Sequence, residues 1–152
     1  MDIPPEWLSL FDGTQLENKL HVAALLSTVD EVSRPHLSFL SVGEVLLHDS
    51  KRLGLALWAK SQTAANFRRS GQGTLYGAAQ GSVWEAQLVV HRHDIVANLA
   101  LFNAHVSDVR CHSAPYADVT SLVGFRLHDP DSAVDRWRQQ INQLRTFDSS
   151  EH

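Results

Sequence analysis

The chain has 152 residues, 43% apolar and 20% charged, with a formal net charge of −4 and a single cysteine, Cys111. That balance fits a folded globular protein of one domain. It argues against a nucleic-acid module, which carries a basic excess, and excludes both an intramolecular disulfide and a zinc site built on two thiolates. No apolar run reaches the ~18 residues of a membrane span. The opening MDIPPEWLSLFDG has neither a basic head nor a long apolar stretch, so the expected location is cytoplasmic.

Residues 4–20 read as helical. Pro4 and Pro5 suit a helix start, and Trp7, Leu8, Leu10 and Phe11 form an apolar face. Asp12-Gly13 is a stop, and Thr14 is placed to cap a second short helix through Leu20. From residue 21 the pattern turns to strand. Val22 to Val29 is an apolar run, and Asp30 to Pro35 reads as a turn. Leu37, Phe39 and Val42 alternate with polar residues in a strand predicted to continue through Glu44 to Leu47. His48 to Arg52 is a polar loop. Leu53, Leu55 and Leu57 alternate with Gly54, Ala56 and Trp58, a clear period of two.

Lys60 to Gly71 breaks the strand pattern. Ser61 is an N-cap, Ala64 and Ala65 favour helix, and Gly71 is a stop. Gly73 to His93 then reads as one long strand region, with Gly77 and Gly81 as bends or bulges. Ala97 to Arg110 alternates as strand, and Val119 to Leu127 reads as the last one. Asp129 caps a terminal helix with Pro130 at its first position, and Val134, Trp137, Ile141 and Leu144 form one apolar stripe. The result is a mainly β (α+β) chain: a six-stranded antiparallel barrel over 21–128, short helices, and a C-terminal helix over 130–146.

Charge is uneven. Residues 32–94 carry seven bases against four acids, while both flanks are acidic; a local anion pocket would need positive potential only there. The turn after Trp58 is the place for one. Free N–H groups at a helix N-terminus attract anions, and Lys60, Ser61 and Thr63 add an ammonium and two hydroxyls. Spacing alone leaves open that Ser61 and Thr63 merely cap the helix.

The runs RPHLSFLSVGEV (34–45) and LGLALWAKSQTAANFRRSGQGTL (53–75), with VAALLSTVDE (22–31) before them and APYADVTSLVGFRL (114–127) and the Trp137 helix after them, resemble the pyridoxamine 5′-phosphate oxidase-like family of FMN-binding split β-barrels. The resemblance extends over about residues 8–144. It implies a homodimer with FMN at the subunit interface. Carried onto this chain, Ser38 and Ser41 of the second strand and Trp58, Lys60, Ser61 and Thr63 of the connection hold the phosphate and ribityl chain. Backbone near Leu40 and Leu57 lies along the isoalloxazine.

Departures shape the expectation. A serine, Ser38, stands where the oxidases usually carry a phosphate-binding arginine. Their Ser-Arg-Lys pattern appears as Ser61-Gln62-Thr63, leaving Lys60 and Arg68 or Arg69 as substitute cations. Ser33 stands where many relatives have glycine, and no C-terminal substrate-binding extension is recognisable. Oxidation of B6 vitamers is therefore not the expected activity. The expectation is an FMN-dependent oxidoreductase with a small-molecule substrate or electron donor. The alternatives are a non-catalytic carrier or sensor of FMN, haem or deazaflavin, or a dimeric barrel without cofactor.

Other chemistry-bearing residues read as structural. His91 and His93 share a strand face, but nothing in the sequence brings a third ligand to them, and no metal site is expected. Cys111 and His112 are adjacent and so point to opposite faces. Trp84 reads as core or interface. Asp129, Asp131 and Asp135 read as capping and solvated helix charges.

Overall fold

The computed structural model describes residues 1–151. Seven strands form one antiparallel sheet: β1 (Ala23–Val29), β2 (Pro35–Ser41), β3 (Val45–Leu47), β4 (Arg52–Trp58), β5 (Gln72–Ala79), β6 (Ser82–Val96) and β7 (Leu99–His112). Their order is β2-β1-β5-β6-β7-β4-β3, a sheet curled into a half-barrel. Three helices accompany it: α1 (Pro5–Leu10), α2 (Gln62–Ser70) and α3 (Pro130–Ser149), with a 3₁₀ turn at Leu16–Asn18.

The strand count differs from six for three local reasons. The stretch predicted to run unbroken from Leu37 to Leu47 bends at Ser41–Glu44. There β2 leaves its partner β1 and the chain crosses to pair as β3 with β4. Residues 73–93 are a hairpin, not one strand. Gln80 (φ 56°) and Gly81 (φ 74°) make its two-residue turn, a left-handed pair of the kind that tight hairpins require. Gly77 is no bulge but sits in register opposite Trp84. It makes room for Trp7, whose ring would lie 2.7 Å from a Cβ there. The true irregularities fall at Gln87/Leu88 and Val90/Arg92.

Val119 to Leu127 is not a strand. It crosses the outside of the sheet, with Val119 N–H donating to the Gly81 carbonyl at 2.8 Å and the Phe125 ring edge-on to Phe39 at 5.8 Å. Alternating sequence makes a strand only where a sheet edge accepts it, and this segment pairs with none, so the barrel strands end at His112. Thr14 does not cap a helix either. Its N–H and hydroxyl both donate to Asp12, and the short turn that follows begins at Gln15 without a side-chain cap.

Other expectations hold. β1, β4, β7 and α2 match their predicted spans closely. Asp129 caps α3 by accepting from Ser132 N–H. That helix runs to Ser149 and buries Val134, Trp137, Ile141, Leu144 and Phe147 against the sheet. No helix of the described residues is long and apolar enough to cross a membrane.

The contact that seats α3 is Trp137 on Gly43. A Cβ on Gly43 would lie 2.1 Å from the Trp137 ring, so only glycine permits it. Gln140 Nε2 donates to the Gly43 carbonyl at 2.7 Å beside it. Trp137→Ala should therefore cost about 3–5 kcal/mol, the usual penalty for emptying a buried aromatic site, read as a fall in the urea midpoint; a change under about 1 kcal/mol contradicts this packing account.

Candidate functional site

The sheet does not close. β2 is paired only through β1, and β3 covers β4 only as far as Leu55, with Ala56 N–H reaching the Glu44 carbonyl at 2.9 Å. From this corner β2 and the end of β4 diverge, and α2 packs between them against β1, β2 and β4. Its seating is specific. Phe67 is fully buried against Phe102, with centroids 5.4 Å apart. Asn66, also fully buried, donates to Thr28 Oγ1 at 2.9 Å and accepts from Gln62 at 2.7 Å, so the amide that enters the core is satisfied. Gly71, at φ 68°, ends the helix as predicted.

The N-terminus of α2 thus points into the split. Ser61 Oγ accepts from Ala64 N–H at 3.1 Å, the ordinary N-cap. The N–H groups of Gln62 and Thr63 lie in the first turn, where no intrahelical carbonyl reaches them. Thr63 is buried, and its hydroxyl hydrogen-bonds Ser38 of β2, so the fold brings together two predicted residues 25 positions apart. Lys60 is exposed and makes no ion pair among the described residues. Arg68 reaches back along α2 to the Ala59 carbonyl at 3.4 Å, which sets a second cation beside the same turn. Arg69 is turned away, toward Val29, Asn66 and Glu31.

The other predicted residues divide. Trp58 is 55% exposed at the end of β4. Leu40 and Leu57 bury their side chains, so only their backbone can face a ligand. Ser41 makes its contacts at the bend after β2. Its N–H and hydroxyl donate to Glu44 Oε1 at 3.0 and 2.8 Å, and it accepts from Gly43 N–H. These bonds build the bend.

Sequence reasoning missed a second feature next to this corner. A cavity of about 630 Å³ lies between α3 and the β6–β7 turn, bounded by Glu44, Trp58, Asn98, Arg136, Gln139 and Gln143, among others. The signal was present: Arg136, Gln139, Gln140 and Gln143 recur at spacings of three and four, a polar stripe beside the apolar one. Burial pushes the Glu44 carboxyl above its ordinary value, outweighing the stabilisation of its anion by Ser41 and Arg136.

The remaining histidines and the cysteine are elsewhere. His91 lies 3.0 Å from Glu151 and packs near His105, His93 packs on Phe102, and His112 bonds Glu85. No metal-binding cluster occurs among the described residues. Cys111 is half-buried, opposite Trp84, whose indole N–H donates to the Ala79 carbonyl at 3.0 Å.

Comparison with solved structures identifies the architecture as the split barrel shared by pyridoxamine 5′-phosphate oxidase-like and flavin reductase-like proteins. A Shewanella frigidimarina protein with a split barrel domain, provisionally assigned as a flavin reductase, superposes with a TM-score of 0.53 at 15% identity over 84% of this chain and 93% of its own. A Lactobacillus delbrueckii protein provisionally assigned as a pyridoxamine 5′-phosphate oxidase gives 0.54 at 18% identity, over 72% and 93%. An FMN-binding protein from Syntrophomonas wolfei gives 0.52 at 14%, over 72% and 93%. At these identities the likeness is one of fold. The sequence relationship is closer to YclD of Bacillus subtilis strain 168, an uncharacterised protein, which is 30% identical over 140 residues, 90% of this chain and 91% of that one; this chain belongs to the YclD family. No family model matches the sequence.

The Glu44 environment makes a pH prediction. A carboxyl whose folded pKa is raised keeps a proton that the unfolded chain has already lost, so its contribution to stability declines as pH rises from its ordinary value of 4.5 through the raised one. Glu44→Gln, which stays neutral, should remove that decline. Urea midpoints of the two proteins should diverge in favour of the variant as pH rises above 4.5; parallel curves would refute the assignment.

Proposed function

We infer that the whole chain acts as one FMN-binding split-barrel unit, working as a homodimer and an oxidoreductase on a small-molecule substrate. The observation that carries this reading is the corner where Ser38 of β2 meets Thr63 of α2. The unreached N–H groups of the first helical turn, the unpaired Lys60 and the nearby Arg68 surround it. A phosphate dianion is held by such fixed N–H donors together with a cation. Two hydroxyls offer it further donors once their mutual hydrogen bond is exchanged.

The donor set fits FMN in chemistry. Ser38, Lys60, Ser61 and Thr63 would hold the phosphate end. Backbone at Leu40 and Leu57 and the indole of Trp58 would border the ring, which needs an apolar slot with a few hydrogen bonds. When bound, FMN supplies the redox chemistry, and the chain supplies position and electrostatics. The homodimer reading draws on the face of β2 opposite Ser38, where Leu37 and Phe39 of the edge strand are each 60% exposed. Solvated apolar groups clustered on an unpaired edge are what a subunit contact would cover.

A second reading, a flavin carrier without turnover, is favoured by the hydroxyl pair standing where the oxidases place cations. Reduction of the bound flavin by NAD(P)H separates the two.

Two measurements test the inference. The purified protein, given FMN and freed of excess, should show absorption bands near about 375 and 450 nm, the signature of a retained oxidised flavin; a colourless protein refutes the reading. Lys60→Ala should weaken FMN about ten- to hundredfold, the worth of a charge-assisted bond of about 1.5–3 kcal/mol, and leave riboflavin, which has no phosphate, nearly unchanged. Equal losses for both ligands would remove the phosphate corner from the argument.

A further inference from the structure

The cavity beside α3 has a composition unlike the phosphate corner. Arg136 is its one cation, and it forms no ion pair with a carboxylate among the described residues. Glu44 lies within its electrostatic reach but has its Oε1 occupied by Ser41. Burial holds that carboxyl back from ionising, so the guanidinium keeps its charge for a ligand. Trp58 and Trp137 supply aromatic walls. The Gln143 side-chain oxygen has no hydrogen-bond partner and is closed to solvent, an expensive state for a polar atom that a ligand N–H relieves once the amide turns into the cavity. At about 630 Å³ the space is that of a small-molecule site.

These features select a ligand class. A lone guanidinium with a carboxyl close by suits a monoanion; a phosphate dianion calls for a second cation, and the cavity has none. The planar fork of arginine matches a carboxylate in a bidentate pair. Aromatic walls favour a flat ring, and Gln143 asks for an N–H or O–H on it.

We propose that this cavity binds a planar aromatic monocarboxylate, with its carboxylate on Arg136, its ring against Trp58, and a ring substituent donating to Gln143. The site goes beyond the flavin reading and does not depend on it, sharing only Trp58 with that corner. If a flavin occupies the split, the two ligands meet across Trp58, and the carboxylate is a candidate substrate.

The test uses 2-aminobenzoate as the probe, with the full chain as purified and binding followed by calorimetry. Its carboxylate, flat ring and amine match the three features. The probe should bind, and its methyl ester, which lacks the charge, should bind at least tenfold more weakly. Arg136→Gln should weaken the acid at least tenfold. Arg138→Gln, on the same helix but paired with Glu17 and Asp135, should leave it unchanged. Benzoate should bind less well than 2-aminobenzoate, and Gln143→Leu should abolish that preference. No binding at millimolar probe, equal affinity for acid and ester, or equal losses in the Arg136 and Arg138 variants would each overturn the proposal. The ester comparison on the unmutated protein does not depend on any variant folding. Flavin retention measured in the same samples keeps the two readings apart: loss of flavin with intact probe binding removes only the flavin reading, and the converse removes only this one.

Discussion

The bend at Ser41–Glu44 is the constraint from which the rest of the architecture follows. Ser41 and Glu44 close it with side-chain and backbone hydrogen bonds, and the bare backbone of Gly43 lets the Trp137 ring lie directly on it. One short segment thereby carries the chain from one edge of the sheet to the other and leaves the barrel open along β2. It also fixes where α3 lies. A side chain at Gly43 would separate the helix from the sheet, and with it the wall of the cavity that Arg136 and Gln143 line. Backbone proximity of this kind is an all-or-none requirement, unlike the graded gains of apolar burial.

Opening the barrel has a cost that α2 offsets. An unclosed sheet leaves polar edge groups and an apolar interior to cover. α2 inserts Phe67 into that interior and secures Asn66 to Thr28 inside the core. Because the helix is held by its middle, its first turn is set against β2, with Thr63 buried on Ser38 and Gln62 exposed. The same turn that satisfies a helix end through Ser61 also collects the hydroxyls, N–H groups and cations suited to an anion. Structural capping and ligand binding are therefore not rival accounts of this segment. Ser61 caps, while Thr63, two residues later, faces Ser38 across the split.

The electrostatics of the two candidate sites differ for a related reason. The split lies at the middle of the chain, where basic residues outnumber acidic ones, and two cations stand beside it. The α3 cavity is made by residues from both the middle and the acidic C-terminal part. It sets one guanidinium against a carboxyl that burial keeps from ionising readily. An overall charge of −4 says nothing about either, because local potential follows the nearest groups and the degree to which water is excluded.

Much of this was readable in the order of residues. An apolar run located β1, period-two alternation located β4 and β7, and the stripe of Val134, Trp137, Ile141 and Leu144 located α3. The cap and stop residues Ser61 and Gly71 located α2 almost to the residue. These are local signals, set by side-chain direction and backbone preference within a few positions. The proposal of an anion site at Lys60 to Thr63 rests on the same local signals. What could not be read depended on partners distant in the chain. Val119 to Leu127 alternates as a strand would, yet no edge receives it. Ser41 looks equivalent to Ser38 in sequence, yet faces Glu44, while Ser38 meets a helix 25 residues on. The Arg136–Gln143 stripe has meaning only once Gly43 admits Trp137 and sets that face over β4 and the β6–β7 turn. Local conformation is written in neighbouring residues; which surfaces meet is settled by packing, where a missing Cβ or an absent pairing edge outweighs propensity.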